Sequence, residues 1–273
     1  MRSFWPLIVA TIILGATVSC ATSRDSVETG VREVEWELVW SDEFDYTGLP
    51  DPERWSYETG MVRNNEAQYY VPRSLSNSRV EDGRLVIEAH KQRFGTAEYT
   101  SASIHTRFTQ SWTYGRFEIR AKVPAGRGTW PAAWLLGSNI GLVGWPMCGE
   151  IDIMEYVGFD PRRVHGYVHT FAYNHTRGTQ RGSSLMLPSP YDTFHVYAIE
   201  WFPDRIDFYV DDQKYFTFHN EGTGADVWPF DEPHYLILNL AIGGSWGGQR
   251  GIDDSIFPAR YEIEYVRVYQ MAR

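Results

Sequence analysis

The stretch FHVYAIEWFPDRIDFYVDD, residues 194–212, indicates the fold class. It consists of two runs in which apolar and polar residues alternate, which is the pattern of half-buried strands. Pro203 and Asp204 join the two runs, because proline supplies a fixed φ and aspartate supplies a turn hydrogen bond. We therefore predict a β-hairpin here.

Similar short runs follow one another from residue 36 to the end of the chain of 273 residues. Most are bounded by Gly, Pro, Asn or Asp, and neither a long helical period nor an internal repeat of about 20 to 50 residues is found. We predict one all-β domain over residues 36–273, a β-sandwich jelly roll with a concave substrate cleft that suits a polymer. The remaining predicted strands are WELVWSDEF, GRLVIEAHK, SASIHTRF, GRFEIRAKV, TWPAAWLLG, EIDIMEYV, RVHGYVHT, HYLILNLAI and YEIEYVRVYQ.

Residues 1–20 have a basic start, an apolar run and small residues before Cys20, which is typical of a secretory signal. A transmembrane helix needs about 20 apolar residues, and this apolar run is shorter. The residues before Cys20 resemble a bacterial lipoprotein signal, in which this cysteine carries the lipid; cleavage near Ala21 and free secretion is the alternative. Residues 21–35 are predicted to be a flexible linker. We expect an exported protein, anchored in the bacterial envelope by lipid on Cys20 or otherwise secreted.

The composition limits the partners of the protein. A net charge of −10 without any run of Lys or Arg argues against nucleic acid, and membrane contact is expected only through the lipid anchor. Aromatic residues make up 15% of the chain and suit flat, uncharged ligands such as sugar rings, although core packing accounts for most of them. Apart from Cys20 the chain has only Cys148, so lipidation leaves no intramolecular disulfide. We expect a monomer.

The stretch CGEIDIMEYVG, residues 148–158, places three carboxylates in an apolar strand. Regular alternation directs Glu150 and Asp152 to one face and Glu155 to the other. A β-bulge, with Met154 as its extra residue, returns Glu155 to the face of the other two acids. The intervening isoleucines then face the hydrophobic interior.

This arrangement favours acid and base catalysis. With the bulge, Glu150 and Glu155 lie about 13 Å apart along the strand at about 3.3 Å per residue. Inclined side chains bring their carboxyl groups near the separation of about 5 to 5.5 Å that is typical of retaining glycosidases. Three such carboxylates share at least one proton near neutral pH. Calcium binding is the alternative, but calcium sites usually lie in loops.

The longer stretch GWPMCGEIDIMEYVG, residues 144–158, resembles the active-site strand of glycoside hydrolase family 16, in the bulged form of bacterial laminarinases. The resemblance implies a β-jelly-roll that hydrolyses β-1,3-glucan internally, with retention of configuration, by double displacement, and needs no cofactor for catalysis. Other stretches match in the family's order: WSDEFD (40–45), NNEAQYY (64–70), YTSASI (99–104), YGRFEIRAKVP (114–124), GTWPAAWLLGS (128–138), VHGYVHT (164–170), WPFDEPHYLILNLAIGGSW (228–246) and YVRVYQ (265–270).

The resemblance also implies roles for individual residues. Glu150 is the nucleophile that forms a glycosyl-enzyme intermediate, Glu155 is the acid and later the base, and Asp152 hydrogen-bonds the nucleophile. His169 lies near these acids, with a purely structural histidine as the alternative. The other implied sugar contacts are Trp130 and Trp134 on the non-reducing side, with Asn65, Asn239 and Trp246 beside them.

Two features depart from the family's pattern. Ser103 stands where many relatives have a basic residue, which puts one sugar contact in doubt. Many members hold a structural calcium ion, for which the candidates are Glu43, the backbone carbonyl of Gly83, and Glu264, where aspartate is more usual. A structural calcium ion is therefore an option that the resemblance leaves open.

Several functions remain as alternatives. One alternative within the family is that the substrate is mixed-linkage β-1,3-1,4-glucan or a marine galactan instead of β-1,3-glucan. A second class is a glucan-binding protein without catalysis, against which the complete set of acids argues. A third is a transglycosylase, which uses the same intermediate with a sugar as acceptor.

Overall fold

The computed structural model describes residue 1 and residues 34–272 of the chain. The predicted signal, the lipidation site Cys20 and most of the predicted linker lie outside the described residues. The strands are β1 (Trp36–Asp42), β2 (Ser56–Tyr57), β3 (Gln68–Tyr70), β4 (Ser78–Glu81), β5 (Arg84–Ala89), β6 (Tyr99–Ser101), β7 (Ser103–His105), β8 (Gly115–Lys122), β9 (Thr129–Gly137), β10 (Glu150–Tyr156), β11 (Arg163–His169), β12 (Arg181–Met186), β13 (His195–Trp201), β14 (Arg205–Val210), β15 (Gln213–His219), β16 (His234–Ile242) and β17 (Ala259–Met271).

Helical structure is sparse in this part of the chain. One α-helix, α1, covers Ile140–Val143, and 3₁₀ helices cover His175–Arg177 and Asp254–Ile256. No helix of the described residues is long and apolar enough to cross a membrane. The architecture therefore depends on strand pairing.

The strands form two large antiparallel sheets. One sheet has the order β15-β14-β13-β8-β17-β5-β4, with β1 also paired to β17, and the other has the order β12-β11-β10-β9-β16-β7-β2. A small parallel pair, β3 and β6, accompanies them. The predicted all-β sandwich is confirmed, as is the hairpin at residues 194–212, which forms β13 and β14.

Side chains from both sheets meet in one apolar core. Phe117 and Tyr197 of the eight-stranded sheet and Leu135, Ile151 and Leu238 of the seven-stranded sheet are completely buried there. Because alternate residues of a strand point to opposite faces, each strand of the seven-stranded sheet also presents side chains away from this core. The functional site is built on that outer face.

The outer face of β9 and β16 carries a second apolar cluster. Trp134 and Leu136 of β9 pack there against Tyr235 and Ile237 of β16, together with Cys148. All residues of β9 and β16 are therefore buried, although only alternate ones reach the main core. Cys148 lies on the outer side of the sheet, and burial raises the pKa of its thiol to about 12.

Candidate active site

The acidic strand β10 contains the predicted β-bulge, but the extra residue in the pairing with β9 is Ile153 and not Met154. Asp152 and Met154 pair with successive residues of β9, which leaves Ile153 between them without a partner. The pairing with β11 is irregular at the same place. The additional residue shifts the alternation by one, so Glu155 shares the outer face with Glu150 and Asp152.

The bulge also contributes to the core. Ile153 and Met154 are adjacent in sequence, yet both are buried in the main cluster between the sheets. On β11, Gly166 lies opposite the bulge, and a Cβ atom added to it would lie 2.8 Å from the ring of Phe208. The glycine therefore leaves room for the hydroxyl group of Tyr215 and the ring of Phe208.

The three acids face a cleft of about 530 Å³ on the outer face of the seven-stranded sheet. Side chains of β10, β9 and β16 form its floor, and loops form its walls. The cleft therefore runs across neighbouring strands. Its lining includes Glu150, Asp152, Glu155, Trp130, Trp134, Trp145, Arg63, Asn64, Glu66, Arg107, His175, Tyr235 and Asn239.

Glu150 is held at one end of the acidic group. Trp145 Nε1 donates a hydrogen bond of 3.0 Å to its Oε2, and His169 Nε2 lies 3.7 Å from its Oε1. Burial, followed by the charge of Asp152, raises the pKa of Glu150 to about 7. Near neutral pH a large fraction of this carboxyl group is ionised, as a nucleophile requires.

Glu155 lies at the other end of the acidic group. Trp130 Nε1 donates a hydrogen bond of 3.0 Å to its Oε1. Burial, and next the charge of Asp152, holds the pKa of Glu155 well above its usual range. A raised pKa favours the protonated form of this carboxyl group, which is the form that a general acid requires.

Asp152 lies between the two glutamates on the strand. Its Oδ2 is 3.3 Å from Nε2 of His169, within ion-pair distance but outside hydrogen-bond geometry. Burial raises the pKa of Asp152. The expected hydrogen bond from Asp152 to Glu150 is not among the contacts of the described residues; His169 lies close to both carboxyl groups instead.

The tryptophans predicted as sugar platforms line the cleft, but little of either ring is open. Trp130 is 8% exposed and Trp134 is 6% exposed. Trp246 packs edge-on against Trp130 at a centroid distance of 5.7 Å, and the guanidinium carbon of Arg63 lies 4.9 Å from the ring centroid of Trp134. In this arrangement the indole N–H groups donate hydrogen bonds, from Trp130 to Glu155 and from Trp134 to Asn239.

Of the remaining predicted sugar contacts, Asn239, Trp246 and Asn65, only Asn239 lines the cleft. Asn239 lines the cleft, and its Oδ1 accepts a hydrogen bond of 2.8 Å from Trp134 Nε1. Trp246 is half-buried beside the cleft. Asn65 is exposed and does not line it, whereas the preceding residue, Asn64, does.

Trp134 and Asn239 belong to a network of hydrogen bonds between buried polar groups. Asn239 Nδ2 donates to the hydroxyl of Tyr70 at 3.1 Å, and that hydroxyl donates to Glu66 Oε2 at 3.0 Å. Gln68 donates to the same carboxylate oxygen at 2.7 Å. Burial raises the pKa of Glu66. The network fixes the amide of Asn239 and, through it, the indole of Trp134.

Several residues near the acids had no role in the predicted site. Trp145 contacts Glu150, and the ring of His175 lies 5.0 Å from Trp145 and 5.1 Å from His169. Arg63 enters the cleft from the loop before β3. Trp145 lies within the motif at residues 144–158, and Arg63 directly precedes the motif at residues 64–70; these positions were the available signal in the sequence.

The residues considered for calcium are engaged in other contacts. Both oxygens of the Glu43 carboxylate accept hydrogen bonds from Arg267, at 2.9 and 2.8 Å. Glu264 forms an ion pair with Arg120, and Gly83 occupies a turn with φ 71°. The two carboxylates therefore do not fit an ion in this arrangement, and the calcium site stays a prediction.

Three comparisons with known proteins agree with this geometry. The sequence model that describes glycosyl hydrolases family 16 matches residues 65–267 of the chain. A beta-glucanase of Rhodothermus marinus is 56% identical over 244 residues, which cover 86% of this chain and 85% of that protein. The X-ray structure of the laminarinase from Rhodothermus marinus has a TM-score of 0.86 and 53% identity, and the match covers 89% of this chain and all of that one.

A further solved structure is that of a non-specific endo-beta-1,3(4)-glucanase, with a TM-score of 0.84 and 46% identity over 88% of this chain and 94% of that one. The family match spans most of the domain and includes the acidic strand, the bulge and the cleft. The predicted family is thereby confirmed. The chain belongs to glycosyl hydrolase family 16.

Proposed function

We propose that this enzyme hydrolyses β-1,3-glucan at internal bonds, with retention of anomeric configuration. The observation that carries the proposal is the pair Glu150 and Glu155, which share one face of β10 and each accept a hydrogen bond from a tryptophan N–H group. One carboxylate and one carboxylic acid on the same side of a substrate chain are the groups that double displacement needs. The beta-glucanase and laminarinase relatives support β-1,3-glucan as substrate.

In the first step, the Glu155 carboxyl group donates its proton to the glycosidic oxygen while Glu150 attacks the anomeric carbon. The glycosidic bond breaks, the reducing-side fragment leaves as an alcohol, and a glycosyl ester forms on Glu150. In the second step, Glu155 takes a proton from water, and the oxygen of that water displaces Glu150 from the anomeric carbon. Two inversions give net retention.

The remaining residues hold these groups in place. Trp145 and Trp130 fix the orientation of the nucleophile and the acid through their indole N–H groups. His169 lies near Glu150 and Asp152, where a ring N–H stabilises negative charge as it moves between the carboxyl groups. None of these steps uses a cofactor.

The direction of the cleft supports internal cleavage. Its floor passes from β10 to β9 and β16, strands that lie side by side at a spacing of about 4.8 Å. A chain that crosses these strands places several units on the β9 side of the acids, and the cleft also reaches His175 and Thr176 in the segment after β11. An endo-acting enzyme binds its substrate in this way.

The test is hydrolysis of a polysaccharide panel that contains laminarin, mixed-linkage glucan, agar and carrageenan. We expect laminarin to give a ladder of oligosaccharides early in the reaction, with the β-anomer as the initial product by NMR. Intact laminarin in the presence of cleaved agar or carrageenan would overturn the assignment. An initial α-anomer would exclude the mechanism.

Mixed-linkage β-1,3-1,4-glucan is a second candidate substrate. The related solved enzyme described as a non-specific endo-beta-1,3(4)-glucanase favours it. Comparison of kcat/KM on laminarin and on mixed-linkage glucan decides between them. Product-length analysis at high substrate concentration reveals transglycosylation, since products longer than the substrate require a sugar acceptor.

We also propose that the protein is exported and anchored by lipid on Cys20. The basic start, the apolar run and the small residues before Cys20 support this. Mass spectrometry of the mature N-terminus and membrane fractionation of the Cys20→Ala variant test it. A soluble protein that starts at Ala21 or later would exclude the anchor.

A further inference from the structure

We propose that Arg63 is a substrate-binding residue of the cleft, and that its guanidinium group occupies the place where sequence analysis put the sugar-stacking ring of Trp134. The inference rests on the proposed function, because it concerns how that same cleft binds a neutral glucan chain. In this arrangement the guanidinium group of Arg63, rather than the indole of Trp134, contacts the sugar. The guanidinium group offers a hydrogen-bond donor in addition to an apolar surface.

The first observation is the position of Arg63. Its guanidinium carbon lies 4.9 Å from the centroid of the Trp134 ring, and the indole is 6% exposed. Arg63 itself lines the cleft. A sugar entering here meets the guanidinium group before it meets the indole.

The second observation is that Arg63 is held in place. It forms an ion pair with Glu58, whose other carboxylate oxygen accepts a hydrogen bond of 2.6 Å from Ser103 Oγ. Trp134 below it is fixed by Asn239. Ordered neighbours on both sides make Arg63 part of the cleft wall rather than a freely moving surface side chain.

The third observation is a free donor. Nη2 of Arg63 contacts Glu58, whereas Nη1 is buried and has no acceptor among the protein groups of the described residues. A buried N–H group without an acceptor is unfavourable, so this donor favours a ligand that brings an oxygen. The hydroxyl groups of a sugar provide such oxygens.

The charge balance agrees with a neutral ligand. Glu58 neutralises Arg63, so the ion pair presents hydrogen-bond donors without a net charge. A sulfated or carboxylated polysaccharide would instead favour an unpaired cation. Within the cleft, these donors therefore suit the hydroxyl groups of a neutral glucan.

The pairing of strands places this contact close to the reaction centre. Trp134 pairs with Asp152 on the neighbouring strand. The backbone of Trp134 therefore lies about one strand spacing, about 4.8 Å, from the acidic strand, and Arg63 packs against the Trp134 ring on the side of β9. This is the side that the family resemblance assigns to the non-reducing part of the substrate.

The experiment compares Arg63→Ala and Arg63→Met with the parent enzyme, with Arg116→Ala as matched control. Met keeps an apolar stem over Trp134 without the donors. Arg116 is also a partly buried, ion-paired arginine, with 21% side-chain exposure against 22% for Arg63, but it lies on the eight-stranded sheet. Each variant is measured for kcat and KM on laminarin, and for laminarin binding by calorimetry in the inactive Glu150→Gln background.

We expect both Arg63 variants to lose about tenfold to hundredfold in binding and kcat/KM, the effect of a lost hydrogen bond from a charged donor. Most of the loss should appear in KM, and Arg116→Ala should match the parent. Arg63→Lys should recover part of the binding, since it restores a donor but not the planar group.

Unchanged or tighter binding by Arg63→Ala and Arg63→Met would overturn the inference, since Arg63 would then only cover Trp134. A parent enzyme that leaves laminarin intact would instead refute the proposed function, so the two failures are distinguishable. Thermal denaturation of every variant identifies a loss that arises from unfolding. If Arg63→Ala does not fold, Arg63→Met and Arg63→Lys carry the test.

Discussion

Trp145 Nε1 donates a hydrogen bond of 3.0 Å to Oε2 of Glu150. This donor lowers the pKa of Glu150 against the larger upward effects of burial and of Asp152, which together bring it to about 7. Trp145→Phe removes the donor and should raise that pKa further. Since the nucleophile must be ionised, the acid limb of the pH profile of kcat/KM should move to higher pH, with a several-fold loss at pH 6.

Trp130→Phe is the matched comparison, because Trp130 donates the corresponding hydrogen bond to Glu155. Removing that donor raises the pKa of the acid, so the alkaline limb should move to higher pH while the acid limb stays in place. Shifts of the same limb in both variants would contradict the assignment of the two glutamates.

The roles of the glutamates also predict different responses to the leaving group. Glu150→Gln should lose at least about 10³-fold in kcat on every substrate, because no intermediate can form. Glu155→Gln should lose about 10²- to 10⁴-fold on laminarin but much less in forming the intermediate from an aryl glycoside, whose leaving group needs no proton. Pre-steady-state release of the aryl group is the measurement. Equal losses on both substrates would argue against Glu155 as the acid.

Asp152→Asn tests the electrostatic coupling within the site. The charge of Asp152 raises the pKa of both Glu150 and Glu155. Its removal should lower both pKa values, so the whole bell-shaped profile of kcat/KM should shift to lower pH, with a reduced maximum. A profile that keeps its position would show that Asp152 acts through geometry alone.

The acids should also make the fold less stable as pH rises. A carboxyl group whose pKa is raised in the folded state binds its proton more tightly there, so its stabilisation is present below the unfolded pKa and is lost as pH rises through the folded pKa. For Glu150 this window runs from 4.5 to about 7. Such a shift corresponds to at most about 3 kcal/mol.

Glu150→Gln removes this titration. We expect the variant to gain stability relative to the parent as pH rises from about 4.5 to about 7, with a constant difference above that window. Thermal denaturation at pH 4 and pH 8 is the measurement. A difference in Tm that is the same at both pH values would contradict the raised pKa.

The arginine contacts of Glu43 and Glu264 predict how the protein responds to chelators. Because Arg267 and Arg120 engage these carboxylates, we expect EDTA and added calcium to leave the Tm unchanged. Differential scanning calorimetry with and without each agent is sufficient. A calcium-dependent rise in Tm would show that the arginines give way to an ion.

Strand prediction succeeded where a strand is long and clear turn residues bound it. The limits predicted for β9 and β16 coincide with the observed strands, because apolar residues fill both faces and turns end them sharply. The strands β2, β3, β4, β6, β12 and β15 were not predicted. Several contain only two to four residues or lie at sheet edges, so distant pairing partners rather than local pattern determine them.

In the site, too, the features set by local sequence pattern were predicted, and those set by distant partners were not. The acids and the bulge follow from the periodicity of one strand, so the sequence predicted them. Trp145, His175 and Arg63 reach the cleft from loops, whose path depends on the packing of the whole domain. The burial of Trp134 under Arg63 could not be predicted for the same reason, since it joins residues from two separate segments.

The bulge at Ile153 and Met154 has a consequence for how this family tolerates changes in length. Loss of Met154 would leave Glu155 two positions after Asp152, so regular alternation would again direct all three acids to the cleft. A single-codon deletion at this point is therefore compatible with an intact catalytic face and removes mainly one core side chain. Deletion of Ile151 would instead make Glu150 and Asp152 adjacent, so that one of the two acids would face the core.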